Sequence, residues 1–280
     1  MPDFLIPPRD LLSFYAEAGV DTAVGETPND YLSAPSISPP ASPIAGEARA
    51  NSPSSPTLPR KGGGSAPAYA ASTANPSSAP AVPEAAVMGA REAAKSAASL
   101  DELRALLDKF DGCALKTTAS RLVFADGNPE GRVMFVGEAP GRDEDIEGLP
   151  FVGRSGKLLD QMLKAIGLDR TKVYIANIVP WRPPGNRTPT PVETQICLPF
   201  IQRQIELADP DILVCVGGPS AGGLLNMQGI LKNRGRWVSY QTGTREIRAI
   251  ATLHPAYLLR SPIAKRLAWR DFLAIKKVLG

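Results

Sequence analysis

Three loops hold the residue types from which a reactive site could be built. The first is GEAPGRDEDIEGLPFVGRSG, from Gly137 to Gly156, with Glu138, Asp143, Glu144, Asp145 and Glu147 among its glycines and prolines. Carboxylates at such positions serve as general bases, hold water, or offset positive charge that develops on a substrate. So dense an acidic set argues against a phosphate cradle, and neither GxxxxGKS/T nor GxGxxG occurs. A plain solvated acidic loop is the alternative. Phe151 stands out in it: an aromatic ring among glycines is either a core residue or a platform on which a planar ligand stacks.

The second loop follows an apolar run that contains Asn177. A carboxamide offers donor and acceptor together, which suits the edge of a nucleobase, although it equally satisfies loop backbone groups. Beyond it, PWRPPGNRTPTPVE places Arg182 and Arg187 on a proline-stiffened basic loop able to meet phosphates. The third loop, HPAYLLR, carries His254, the chain's one histidine, followed by Tyr257, Leu258 and Arg260.

The elements around these loops explain why they converge. RVMFVG (132–137), VYIANIV (173–179), DILVCVG (211–217) and REIRAIAT (245–252) are apolar, β-branched runs of strand length. Helical patterns separate them: GKLLDQMLKAIG, PVETQICLPFIQRQIELA and PSAGGLLNMQ, with KRLAWRDFLAIKKVL last. Ser99 and Glu102 have capping-box spacing and open a helix through Phe110. Near-continuous apolar strands alternating with helices predict an α/β fold, a three-layer αβα arrangement around a central four-stranded, mostly parallel sheet. Ligands in such folds bind beyond the carboxyl ends of the strands, where all three loops lie.

The rest of the chain reads differently. Of the 50 residues from 34 to 83, 37 are Pro, Ala, Ser or Gly, a composition with too little apolar bulk to offset ordering entropy. The expected organisation is a short helical peptide at 1–33, a disordered linker at 34–94 and a catalytic domain at 95–280. Within the first, Leu11, Leu12, Phe14, Tyr15 and Ala18 share a helical face that either docks on the domain or binds a protein partner. Net charge of +3 divides into −4 over residues 1–94 (5 Lys and Arg, 9 Asp and Glu) and +7 over the remainder, a weak pointer to a polyanion. Three cysteines exclude a disulfide framework, no apolar stretch reaches membrane-spanning length, and MPDFLIPPRDLLSFY lacks the basic start of a signal peptide. A cytoplasmic setting is expected.

Taken in order, GEAPG, PFVG, RPPGNR and HPAYLLR resemble the family 4 uracil-DNA glycosylases over about residues 108–279. The resemblance implies their fold and a monofunctional glycosylase that flips uracil from single- or double-stranded DNA and hydrolyses its N-glycosidic bond. It implies that Phe151 stacks on uracil, Asn177 reads its polar edge, the main chain near Glu138 and Ala139 touches it, and His254 donates to its oxygen. Glu138 or Glu144 would hold water or offset charge on the sugar. Arg182, Arg187, Arg260, Lys265 and the helix start at Gly153–Gly156 would meet phosphates, with Tyr257 and Leu258 as the wedge. Ala139 departs from relatives that carry a water-activating Asp or Asn there. Related readings are a glycosylase for another deaminated base and a uracil- or abasic-site binder with weak turnover. A monomer without membrane contact is expected.

Family 4 resemblance also implies four cysteines around an iron-sulfur cluster. Their places read Phe110, Cys113, Trp181 and Cys197, and Cys215 lies within a strand. Two thiolates in place of four lead to the expectation of no cluster, no metal and no cofactor, with the two aromatics filling its volume and the cysteines as free thiols.

Overall fold

A computed structural model describes residues 84–280; the peptide expected at 1–33 and the linker up to residue 83 lie outside the described residues. The order is α1 (Glu84–Ser96), α2 (Leu100–Lys109), α3 (Leu115–Thr118), β1 (Ala125–Gly127), β2 (Val133–Gly137), α4 (Arg142–Glu147) and α5 (Arg154–Ala165). There follow β3 (Val173–Asn177), α6 (Pro191–Ala208), β4 (Ile212–Val216), α7 (Gly218–Leu225), α8 (Ile230–Asn233) and β5 (Trp237–Gln241). The last three are β6 (Glu246–Thr252), α9 (Pro255–Arg260) and α10 (Lys265–Leu279).

The sheet runs β1-β3-β2-β4-β6-β5. Its four central strands are parallel and are the four apolar runs of the sequence. Both edge strands, β1 and β5, pair antiparallel and escape sequence reading. The reason is physical: β1 is three residues long, and β5 is half-exposed, so neither has the apolar continuity of a strand covered on both faces. The expected four-stranded sheet is thus the core of a six-stranded one.

Alternation along each central strand feeds two separate cores. Met134 and Val136, Tyr174 and Ala176, Leu213 and Cys215, and Ala249 and Ala251 face the core built with α1, α2 and α6. Val133 and Phe135, Val173 and Ile175, Ile212 and Val214, and Ile250 face the core built with α5 and α10. A strand of period two between two apolar layers has to be apolar at every position, which is why β2, β3 and β4 show no polar alternation and β6 shows it only at Glu246 and Arg248, before its buried half.

The folded body begins earlier than residue 95. Helix α1 covers the end of the segment expected to be linker, and it packs through the fully buried Ala90 and Ala94. Alanines carry little apolar bulk, so composition hides a helix that sits close against its neighbours. Helix α2 begins at the expected Ser99, whose hydroxyl accepts from Glu102 N–H at 3.2 Å; the reciprocal bond falls one residue early, Glu102 accepting from Ala98 N–H at 2.7 Å in place of the Ser99 N–H of a full capping box. None of the described helices is long and apolar enough to cross a membrane.

Candidate active site

The carboxyl ends of β2, β3, β4 and β6 open into one cavity of about 760 Å³, lined by Glu138, Ala139, Phe151, Asn177, Gly217 and His254 among others. Parallel strands place their loops on the same edge of the sheet, and the cavity sits where that topology puts it.

Gly137, the last residue of β2, sets how tightly the floor packs. A Cβ there would lie 2.7 Å from Phe151 Cζ and would overlap the Asn177 carboxamide, so only glycine lets both side chains cross the strand end. Phe151 itself has φ 55°, a left-handed conformation costly for an aromatic residue. Arg170 holds it there: its guanidinium donates to the carbonyls of Pro150 and Phe151 while pairing with Asp126 and Asp160. The ring that results is buried and stacks on the His254 imidazole, with centroids 5.6 Å apart at 29°.

Asn177 ends β3 and is 5% exposed. Its carboxamide has no hydrogen-bond partner among the described residues and lies on the cavity wall. Its oxygen and nitrogen open onto the cavity and are not sealed in the core, so a ligand there can pair with both.

His254 follows β6 and caps α9. Its Nδ1 accepts from Ala256 N–H at 3.1 Å, which leaves the proton of the neutral ring on Nε2. Burial, and next the Arg260 charge, lower its pKa from 6.5 to about 4, so the ring is a neutral donor near pH 7. Gly217 passes against its Cβ with φ 97°. Glu138 lies at the end of β2; burial pushes its carboxyl up, and a hydrogen bond from Thr188 partly offsets that.

The remaining expected residues divide. Glu144 lines the cavity, but both its oxygens accept backbone N–H groups, from Gly141 at 3.0 Å, Val152 at 3.1 Å and Gly153 at 3.0 Å. Its carboxylate therefore braces the loop and takes the Gly153 N–H, while the first N–H groups within α5, from Arg154 to Gly156, have no side-chain cap among the described residues. Leu258 is 1% exposed in the core under α9 and does not reach DNA as a wedge, whereas Tyr257 is half-buried on the cavity wall. Lys265 is also buried, which takes it from the expected phosphate contacts. Arg182 turns onto Asn186 at 2.6 Å and faces Asp145 at 3.9 Å. Arg187 forms a two-pronged pair with Glu193 at 2.7 and 2.9 Å. Arg260 is exposed at the rim. Sequence reading misses Arg170, Thr188 and Leu231, which no local motif marks; only the glycine preceding a strand-end loop hints at a close approach such as that of Gly217.

Residues 124–273 match the model of the uracil DNA glycosylase superfamily. The chain is 38% identical over 187 residues to the type-4 uracil-DNA glycosylase of Archaeoglobus fulgidus, covering 65% of this chain and 94% of that protein. It is 41% identical over 155 residues to that of Thermotoga maritima, covering 55% and 79%, and 38% identical over 186 residues to that of Sulfurisphaera tokodaii, covering 64% and 84%.

These relatives overturn one expectation. A chain without a cofactor does not follow from its cysteines, because type-4 enzymes are the group in which an iron-sulfur cluster is the rule. The side chains at the four places do not make up a four-thiolate set: Cys113 and Cys197 are buried with their Sγ atoms 3.9 Å apart, Phe110 packs edge-on against Phe200 at 5.0 Å, and Trp181 is buried.

Proposed function

The chain belongs to the uracil-DNA glycosylase superfamily, with type-4 enzymes as its relatives, and from that premise we propose that it excises uracil from DNA by hydrolysing the N-glycosidic bond and leaves an abasic site. The observation that carries this reading is the Asn177 carboxamide, unpaired among the described residues and open to the cavity beside the Phe151–His254 stack. A site of about 760 Å³ with one flat apolar wall and one unspent amide suits a pyrimidine turned out of the helix.

In this reading uracil lies against Phe151, and Asn177 accepts from N3–H and donates to O4. Cytosine presents the opposite pattern and would meet like against like. As the glycosidic bond lengthens, negative charge gathers on the base and positive charge on the sugar. His254 Nε2–H donates to the base oxygen, and being neutral it needs no prior deprotonation at pH 7. Glu138, whose oxygens are not taken up by a backbone brace, is assigned to the water or the sugar charge in place of Glu144. Alanine at 139 leaves no second carboxylate or amide for that task. Rim residue Arg260 supplies the phosphate contact, with Arg187 in part. A monomer acting on DNA completes the proposal.

A gel assay on a uracil-containing oligonucleotide tests it. Free uracil together with an alkali-labile strand is the expected result. Firm DNA retention without uracil release would overturn excision in favour of binding alone.

A further inference from the structure

Residues 229–236 form part of the cavity rim between α7 and β5, and Ile230 and Leu231 line it. Six large apolar side chains are well exposed among the described residues: Met88, Ile146, Leu149, Leu231, Leu259 and Ile263. Of these, Leu231 alone lines the cavity, at 57% exposure.

The turn that carries it is pinned. Gly229 enters it at φ 74°. Arg234 leaves it and pairs through Nε with Asp271 at 2.8 Å, and the same carboxylate accepts from Thr252 Oγ1 at 2.8 Å. Gly235 N–H donates to the Ala251 carbonyl at 2.9 Å. Ala251 and Thr252 belong to the end of β6, from which the His254 loop departs, so Leu231 and His254 are fixed to one strand end. Lys232, next to Leu231, and Arg236 at the end of the turn are exposed, the latter donating to Asn233 Oδ1 at 3.2 Å. An apolar tip at the cavity mouth with cations on the same turn matches a base stack flanked by phosphates.

We propose that residues 229–236 open duplex DNA: Leu231 enters the space left by the extruded nucleotide while Lys232 and Arg236 meet neighbouring phosphates. The proposal rests on the base-excision reading and takes over the wedge role that the buried Leu258 does not fill. Closing on a base stack would bury the apolar surface that Leu231 leaves exposed in the free protein.

The test compares the unsubstituted protein with Leu231→Ala on one uracil oligonucleotide, single-stranded and paired, under single-turnover conditions. Excision from the duplex should fall about tenfold while single-strand excision stays within about twofold, because only the duplex has a stack to fill. Leu231→Met should restore the duplex rate. Since the side chain is exposed, thermal unfolding should not move, which separates this effect from misfolding. Equal losses on both substrates, or an unchanged duplex rate, would overturn the wedge alone. Failure of the unsubstituted protein to release uracil from either substrate would overturn the excision reading beneath it.

Discussion

Glu144 reaches across its loop to the backbone N–H of Gly153, 3.0 Å away, and so ties the start of α4 to the start of α5 with Phe151 between them. A negative carboxylate at a helix N-terminus satisfies donors that the helix itself cannot. Glu144→Gln exchanges one acceptor oxygen for an NH₂ that would face an N–H. The expected cost is about 2–3 kcal/mol, read as a lower denaturant midpoint at unchanged slope. Excision should fall with it, because the loop that presents Phe151 loosens. Full stability in the variant would mean that the carboxylate is not a brace.

His254 links acid stability to the site. The unfolded chain takes up a proton as pH falls through 6.5, and the folded ring resists until about 4. Its contribution to stability is therefore complete above pH 6.5, is lost between 6.5 and 4, and changes no further below. Between pH 7 and 4.5 the unsubstituted protein should lose about 2–3 kcal/mol more than His254→Gln, measured by denaturant unfolding at both values. His254→Ala, which removes the donor altogether, should also slow excision roughly 10²- to 10³-fold at pH 7, by analogy with other oxyanion donors. Parallel stability curves for the two proteins would place the imidazole outside the burial described.

Asn177→Asp keeps the shape of the carboxamide and removes its donor. A carboxylate facing uracil O4 should lower kcat/KM for uracil about 100-fold, near 3 kcal/mol, and narrow the gap to cytosine. Competition between uracil- and cytosine-containing oligonucleotides reads the change directly. Selectivity equal to that of the unsubstituted protein would remove Asn177 from base recognition.

Much of this site was legible because its signals are local. Asn177 interrupts an apolar run, His254 has no other histidine to compete with it, and Phe151 stands among glycines. Four parallel strands followed from apolar continuity, and the loops at their ends followed from the strands. What failed was whatever depends on how a segment folds and packs beyond its own residue types. Nothing in DEDIEG distinguishes a catalytic Glu144 from one that accepts three backbone N–H groups. YLL offers two adjacent leucines, and the turn of α9 decides that Leu258 is buried and Leu259 exposed. Helix α1 was lost inside an alanine-rich segment, and β1 and β5 were lost because edge strands need only half an apolar pattern.

Arg260 and Arg187 should differ in their effect on DNA binding although both are exposed cations. Arg260 stands at the rim, whereas Arg187 is engaged by Glu193, whose carboxyl it holds down at about 2. Arg260→Ala should weaken binding uniformly across sequences and reduce the slope of log K against log salt by about one. Arg187→Ala should reduce it by less, because Glu193 already neutralises that charge. Titrations at several salt concentrations, scored by fluorescence anisotropy, distinguish the two. Equal slopes for both variants would mean that the Arg187–Glu193 pair opens on DNA.

Arg170 lies 19 residues from Phe151 in sequence and determines where that ring points. Its guanidinium bonds the Pro150 and Phe151 carbonyls and pairs with Asp126 and Asp160, which joins β1, the acidic loop and α5 at one side chain. The planar fork matters more than the charge: lysine offers a single rotating ammonium and cannot reach all four acceptors in fixed directions. Phe151 at φ 55° has little reason to stay there once its carbonyl is released. Arg170→Lys should therefore lower kcat/KM for uracil excision about tenfold with a smaller loss of thermal stability, and Arg170→Ala should do more of both. A double-mutant cycle with Phe151→Ala separates positioning from general destabilisation. If Arg170 acts through Phe151, the second substitution should add little to the first, whereas additive losses would show that the guanidinium stabilises the fold without positioning the ring.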